Sequence, residues 1–434
     1  MKNLLLLRNL LLLFLIAFFL MGTSCGKKAP SGDKSSANTD VGGSSSSGGS
    51  SSSGDVNGGG DADGGGGGTS ATVSDGIAAL NAKDYTKALS ILKPLADKGN
   101  AEAQLNLALM YQNGWGVPQD YTKAAEWYKK AADQGSATAQ NNLALLYIFG
   151  NGVTQNNTEA FNLLKKAAEQ GHAQAQFNLG VMYANGRGTT QDPTEAEKWY
   201  KKAADQGNIG AQYNLGVMYQ HGQGVTQDYT EAVKWYKLAA NQGHANSQNN
   251  LGSIYYNGPS PITKDFTEAL KWFTLAADQG VANAQFNLGV MYKKGEGVTQ
   301  NNAEAVKWFR KAADQGYAIA QYNLGVMYYD GTGVTRDYIE AVNWFARSAE
   351  QNYSSGQYSL AFMYAHGQGG LARNLVTAHM WITLALENPP NSPGLVTNMQ
   401  NLKTALENAM TPAQITQATQ LAAECKNKNY KNCG

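Results

Sequence analysis

The sequence predicts an all-α fold, a solenoid of antiparallel helix pairs, and three observations carry that expectation. First, a block of about 36 residues recurs eight times between Ala101 and residue 390. One glutamine marks each copy: Gln104, Gln140, Gln176, Gln212, Gln248, Gln285, Gln321 and Gln357, spaced by 36 residues except for one step of 37 between Gln248 and Gln285. Counted from Gln104, these are repeats one to eight. Second, each copy holds two stretches with apolar residues at helical spacing. In repeat four these are Ala211, Leu215, Gly216 and Tyr219, then Ala232, Tyr236 and Ala239. Third, glycines punctuate the stretches, Gly222 and Gly224 after the first and Gly243 after the second, where a left-handed residue ends a helix. A fixed period in this range marks a stacked array, because so small a unit can bury its apolar face only against its neighbours. The chain therefore reads as an extended binding array and not as a globular enzyme.

The elements follow in order. Residues 1–25 read as a secretory signal: Lys2 and Arg8 supply a basic flank, and Leu10 to Leu20 is wholly apolar. That run is short for a permanent membrane span, which needs about 20 residues. Gly22-Thr23-Ser24-Cys25 resembles a bacterial lipobox, in which the cysteine becomes the lipidated first residue. Gly22 departs from the leucine usual three positions before it. The resemblance implies a lipid anchor on Cys25, and Gly26 in place of an aspartate implies passage to the outer membrane, facing the periplasm. Several acyl chains on one cysteine hold a protein firmly where a single chain binds marginally. Residues 26–72 are mostly Ser, Gly and Asp and contain nothing that builds a core. They read as a flexible leash with a root-mean-square reach of roughly 35–40 Å.

Residues 73–100 form an N-terminal capping unit: Asp75 to Leu80, then Asp84-Tyr85 to Ala96, without the glycine loop. The eight repeats occupy 101–390. In repeat four the spacing predicts helices over Gly210–Tyr219 and Tyr229–Ala240. Small residues at Gly216 and Ala232 let the helix axes approach, and Leu215 and Tyr236 fill the space beside them. Repeat five departs in its loop, Gly258-Pro259-Ser260-Pro261-Ile262, which is one residue longer and lacks the second glycine. Residues 391–434 form a C-terminal helical cap and tail, with helices expected near Leu395–Ala409 and Pro412–Cys425 after the Asn388–Gly394 breaker. Thr411, Pro412 and Gln414 compose a capping box with proline at the first helical position. In an oxidising periplasm Cys425 and Cys433, eight positions apart, are expected to pair.

The repeat pattern A-x-A-Q-x-N-L-G-x-M-Y-x-x-G-x-G-V, then D-Y-x-x-A-x-x-W-Y-x-x-A-A-x-Q-G, resembles the Sel-1-like repeat, a relative of the tetratricopeptide repeat. It covers about 290 of 434 residues. The resemblance implies a right-handed superhelical α-solenoid whose first helices line the concave face, and the family's widespread adaptor role implies protein binding.

Composition and spacing narrow the chemistry. Thirty-four basic against 33 acidic residues, with no basic stripe, argue against nucleic acid as a partner. No metal-ligand spacing occurs and no cofactor is expected. Four of the five histidines, His172, His221, His244 and His366, hold repeat positions, which leaves His379. Glu231, Glu268 and Glu304 recur at second-helix starts, where they favour the helix dipole. The Gly-x-Gly loops lack the preceding strand of a nucleotide site. Trp127, Trp199, Trp235, Trp272, Trp308, Trp344 and Trp381 recur once per unit, with Leu163 in repeat two, and read as packing.

The candidate site is a groove. By position along the first helices, Phe177, Asn178 and Val181 are expected to face inward, as are Tyr213, Asn214 and Val217; Phe286, Asn287 and Val290; and Tyr322, Asn323 and Val326. Asparagine precedes leucine in seven of eight units (Asn106, Asn142, Asn178, Asn214, Asn250, Asn287 and Asn323), and Ser359 breaks the series. Such a ladder either grips an extended peptide's backbone or bonds within the solenoid to satisfy its seams, and both readings stay open. The function expected is a non-catalytic protein- or peptide-binding scaffold tethered to the bacterial envelope. The rivals are a β-lactamase-like hydrolase of the cysteine-rich repeat type, which the absence of cysteine from the repeat bodies opposes, and a peptidoglycan-binding module.

Overall fold

The computed structural model describes residues 71–433, which hold 20 helices and no strand. The expected signal, Cys25 and all but the last two residues of the expected leash lie outside the described residues. The chain divides into two compact units, the first ending at Ala239 and the second beginning at Ala240. Each is built alike: consecutive helices pack as antiparallel pairs in tandem, first helices forming one layer and second helices the other. The fold is an all-α solenoid.

Local chemistry sets the helix ends. In repeat four the first helix runs Ile209–His221 and the second Tyr229–Asn241. The first begins one residue before the expected start because the Asn208 side chain accepts the Ala211 N–H as its N-cap. It ends at Gly222, whose φ of 67° is left-handed. The second glycine of the loop serves a different purpose. In repeat three a Cβ on Gly188 would lie 2.1 Å from the Asn157 carbonyl oxygen, at the start of the preceding second helix. Only a residue without a side chain lets the loop rest there.

The core forms between the helices of each pair. A Cβ on Gly216 would stand 2.5 Å from the Tyr236 ring, so that glycine seats the ring between the helices. Tyr236 and Leu215 are fully buried, and burying a side chain of that size contributes about 1.5–3 kcal/mol. Gly289 under Phe309 and Gly325 under Phe345 repeat the arrangement. Trp127, Trp235, Trp272, Trp344 and Trp381 are buried. Trp199 and Trp308 are half-buried, with Lys202 and Lys311 Nζ at 4.0 and 3.8 Å from their ring centroids.

The marker glutamines tie successive pairs together. From Gln104 to Gln321 each Nε2 donates to an alanine carbonyl eight residues earlier, on the preceding second helix, at 3.0–3.2 Å. The Oε1 atoms of Gln104, Gln140, Gln176, Gln248, Gln285 and Gln321 accept from a second glutamine at the end of the repeat, as Gln134 donates to Gln104 and Gln351 to Gln321, both at 2.7 Å. Repeat eight ends the ladder. Position 387 is a glutamate, which turns to Lys426 Nζ at 2.9 Å, and Gln357 Oε1 is left buried without a partner.

Both ends carry extra pairs. Val73–Asn81 and Tyr85–Asp97 precede the first repeat, and a Thr72–Asp75 capping box opens the former. After repeat eight come Pro393–Ala409 and Pro412–Asn427, the latter with the Thr411–Gln414 box and Pro412 at its start. The first of these begins two residues before the expected Leu395, because Pro393 itself opens the helix. A disulfide joins Cys425 to Cys433 with their Cα atoms 5.3 Å apart.

Candidate functional site

The two helix layers differ in charge. Across all eight repeats the first helices carry only Glu102, Lys293, Lys294 and Asp330 as formal charges. A single second helix, Tyr121–Asp133, carries Lys123, Glu126, Lys129, Lys130 and Asp133. The first-helix wall therefore offers amides, hydroxyls, rings and branched apolar groups.

The expected groove residues on this wall fall into two groups. In repeats three and four much of the set is inside the packing and not on open surface. Phe177 is 3% exposed, Asn178 8%, Tyr213 1% and Val217 8%; Val181 and Asn214 are half-buried. The rings of Phe177 and Tyr213 lean on Tyr200 and Tyr236, with centroids 5.9 and 6.0 Å apart. In repeats six and seven Phe286, Asn287, Val290, Tyr322, Asn323 and Val326 are all half-buried. Phe286 and Tyr322 still touch Phe309 and Phe345, at 5.6 and 6.1 Å.

The asparagines differ in what they meet, and the residue behind them on the preceding second helix is one part of that difference. Behind Asn142 and Asn214 that residue is tyrosine: Asn142 Nδ2 lies 3.4 Å from the Tyr128 oxygen, and Asn214 faces the Tyr200 hydroxyl. Burial pushes both phenols well above the ordinary tyrosine range, the asparagine bonds opposing it. Where the residue is leucine or phenylalanine there is no hydroxyl to meet. Asn106 and Asn323 turn to their own helix and donate to the Glu102 and Ile319 carbonyls. Asn178, behind which stands Leu164, donates to Asn141 Oδ1 at 2.9 Å. Asn287, in front of Phe273, has no hydrogen-bond partner among the described residues. Asn249 holds the position in repeat five that Asn141 holds in repeat two, and its Oδ1 is buried without a partner. The amide pair that closes between repeats two and three thus stays open between repeats five and six.

The histidines have structural posts that repeat position alone did not reveal. His172 and His244 are N-caps, each ring Nδ1 accepting a backbone N–H at 3.2 Å, from Ala175 and Ser247. Burial lowers the His172 pKa. His379, 2% exposed, meets Glu407 Oε1 at 3.2 Å and so joins the last repeat to the C-terminal cap. Glu231, Glu268 and Glu304 each pair with a lysine three residues on. Among the described residues no group of three His, Cys, Asp or Glu side chains is gathered, and no helix is long and apolar enough to cross a membrane.

The Sel1 repeat model matches the chain eight times, at 101–136, 137–172, 173–208, 209–244, 245–281, 282–317, 318–353 and 354–389. Among solved structures, a Sel1 repeat protein from Oxalobacter formigenes is 30% identical, with a TM-score of 0.57 over 72% of this chain and 90% of its own. The c5321 protective antigen of uropathogenic Escherichia coli, which displays an SLR fold, is 31% identical over 83% of this chain and 92% of its own, with a TM-score of 0.43. No curated protein matches the sequence. With eight matched copies over most of the described residues, the chain belongs to the Sel1 repeat family.

Proposed function

We propose that this Sel1 repeat scaffold binds an extended segment of a protein partner along its first-helix wall, without catalysis, while held at the bacterial envelope by a lipidated Cys25. The observation that carries the binding reading is the near absence of charge from that wall. A solvated helix face is ordinarily dressed in lysine and glutamate, as the second helices are. A wall of amides, hydroxyls and rings is suited instead to a polypeptide backbone, whose N–H and C=O groups an amide can satisfy in both senses. Tyrosine and phenylalanine add contact area at low entropic cost. The open amide of Asn287 is the group best placed to meet such a backbone. The tether rests on the signal-like segment and the lipobox resemblance alone.

Crosslinking in the native host, with mass-spectrometric mapping of the crosslinked sites, tests the binding reading. Partners joined to first-helix residues are expected; partners joined only to the second-helix wall, around Lys129 or Lys201, overturn it. Asn287→Ala should weaken a captured partner about tenfold and leave the melting curve unchanged. Asn214→Ala should instead lower stability by about 1 kcal/mol, because it removes the amide that faces the buried Tyr200 hydroxyl. Incorporation of labelled palmitate that survives Cys25→Ser would exclude the proposed anchor.

A further inference from the structure

The asparagine series breaks once, at Ser359, and Ser359 lines a cavity of about 210 Å³ in the second unit. Val326 and Tyr329 of repeat seven form one side; Tyr358, Ser359 and Phe362 of repeat eight form the other, with Phe345 behind. Serine is shorter than the asparagine found in the other seven repeats, and Phe345 behind it has no hydroxyl to draw a polar group inward. Phe362 stands where six of the other repeats carry valine or leucine, which makes a deeper wall. Tyr329 and Phe362 meet edge to face, with centroids 6.5 Å apart and planes at 82°. Neither Tyr329 nor Tyr358 is hydrogen-bonded within the described residues, and both are half-buried.

We infer that this cavity is an anchor pocket for one aromatic side chain of the polypeptide bound along the wall, an inference that rests on the binding reading above. Three features select that occupant. Size comes first: an apolar cavity of about 150 Å³ takes benzene, so this one has room for a ring with its Cβ. Charge comes second. No lining group is ionised at neutral pH, so an ammonium or carboxylate would be desolvated there without a counter-charge. Shape comes third. Four of the lining residues are aromatic, two already set edge to face, and a further ring extends that arrangement where an aliphatic chain gains only contact area. The pocket also continues the wall, since Val326 belongs to both.

Methionine-methyl spectra of the full chain test this, because Met363 lines the same cavity. N-acetyl-phenylalaninamide should shift the Met363 methyl saturably. N-acetyl-leucinamide should bind at least threefold more weakly, and N-acetyl-lysinamide should leave the methyl in place. Ser359→Asn restores the residue of the other seven repeats, so the fold should stand while binding falls tenfold or more; Ser359→Ala should bind as the parent does. An undisturbed Met363, equal binding by Ser359→Asn, or tighter binding of leucinamide or of decanoate than of phenylalaninamide overturns the pocket. If such a failure accompanies partner crosslinks on the first-helix wall, the pocket alone is lost. Crosslinks confined to the second-helix wall overturn the binding reading beneath it.

Discussion

His172 caps a helix with a ring nitrogen, and that choice makes one seam of the array sensitive to acid. Its Nδ1 accepts the Ala175 N–H only while unprotonated, and a cationic ring would also face the positive end of the helix dipole. Burial lowers its pKa in the folded state, so the unfolded chain takes up the proton first as pH falls. The cap's contribution is therefore complete above the ordinary histidine value of about 6.5 and is lost as pH drops through the lower folded value. An N-cap contributes about 1 kcal/mol. Melting temperatures at pH 8 and pH 5 should show a fall for the parent chain. His172→Asn, which supplies the acceptor that Asn208 supplies in repeat four, should flatten part of that fall. An equal fall in parent and variant would remove His172 as its source. At this scale the sequence was legible only in part. His172 was readable as a repeat position, but its capping role depends on where the helix begins. The asparagines look alike in the sequence and differ in the structure, in part because Tyr128, Leu164 and Phe273 stand at equivalent places fourteen residues before Asn142, Asn178 and Asn287, and in part because Asn178 also meets Asn141 of the preceding repeat.

At the scale of the element, the helix pair was the most legible feature, since period, helical spacing and glycine stops are all local signals. The seams were less so. Gln104 and Gln134 are both visible in the sequence, yet only the fold reveals that one bonds the other across 30 residues. The loop glycines separate into two kinds that only the structure tells apart. Gly171 has φ of 87° with nothing within 4 Å of a built Cβ, whereas Gly188 has φ of 68° and backbone at 2.1 Å. An alanine at Gly171 should cost only the left-handed penalty, about 1–2 kcal/mol. At Gly188 the same change must also push the loop off the Asn157 carbonyl, and the total should exceed about 3 kcal/mol. Urea unfolding of Gly171→Ala and Gly188→Ala separates the two terms. Equal losses would mean that the loop is free to lift away and does not brace the preceding helix.

At the scale of the whole molecule, a stacked array differs from a closed core in how far damage travels. Each repeat leans on its immediate neighbours, so stability is close to a sum of local terms. The C-terminal cap provides the test. Its disulfide joins cysteines eight positions apart, a constraint worth about 2.5 kcal/mol in the chain-entropy account. The tail it holds reaches back through Lys426 to Glu387 and through Lys431 to Glu350, and Cys425 is buried against the last repeat's core. Selective reduction of Cys425–Cys433 in the full chain should therefore speed amide exchange in residues 393–433 and at the edge of repeat eight. Repeats one to six should keep their protection, because among the described residues the cap helices pack on the helices of repeat eight and the tail reaches Glu350 of repeat seven. Loss of protection throughout both units would show a cooperative body in place of additive modules. It would also weaken the view of the first-helix wall as a series of separately tunable subsites, each set by its own repeat and its immediate neighbours.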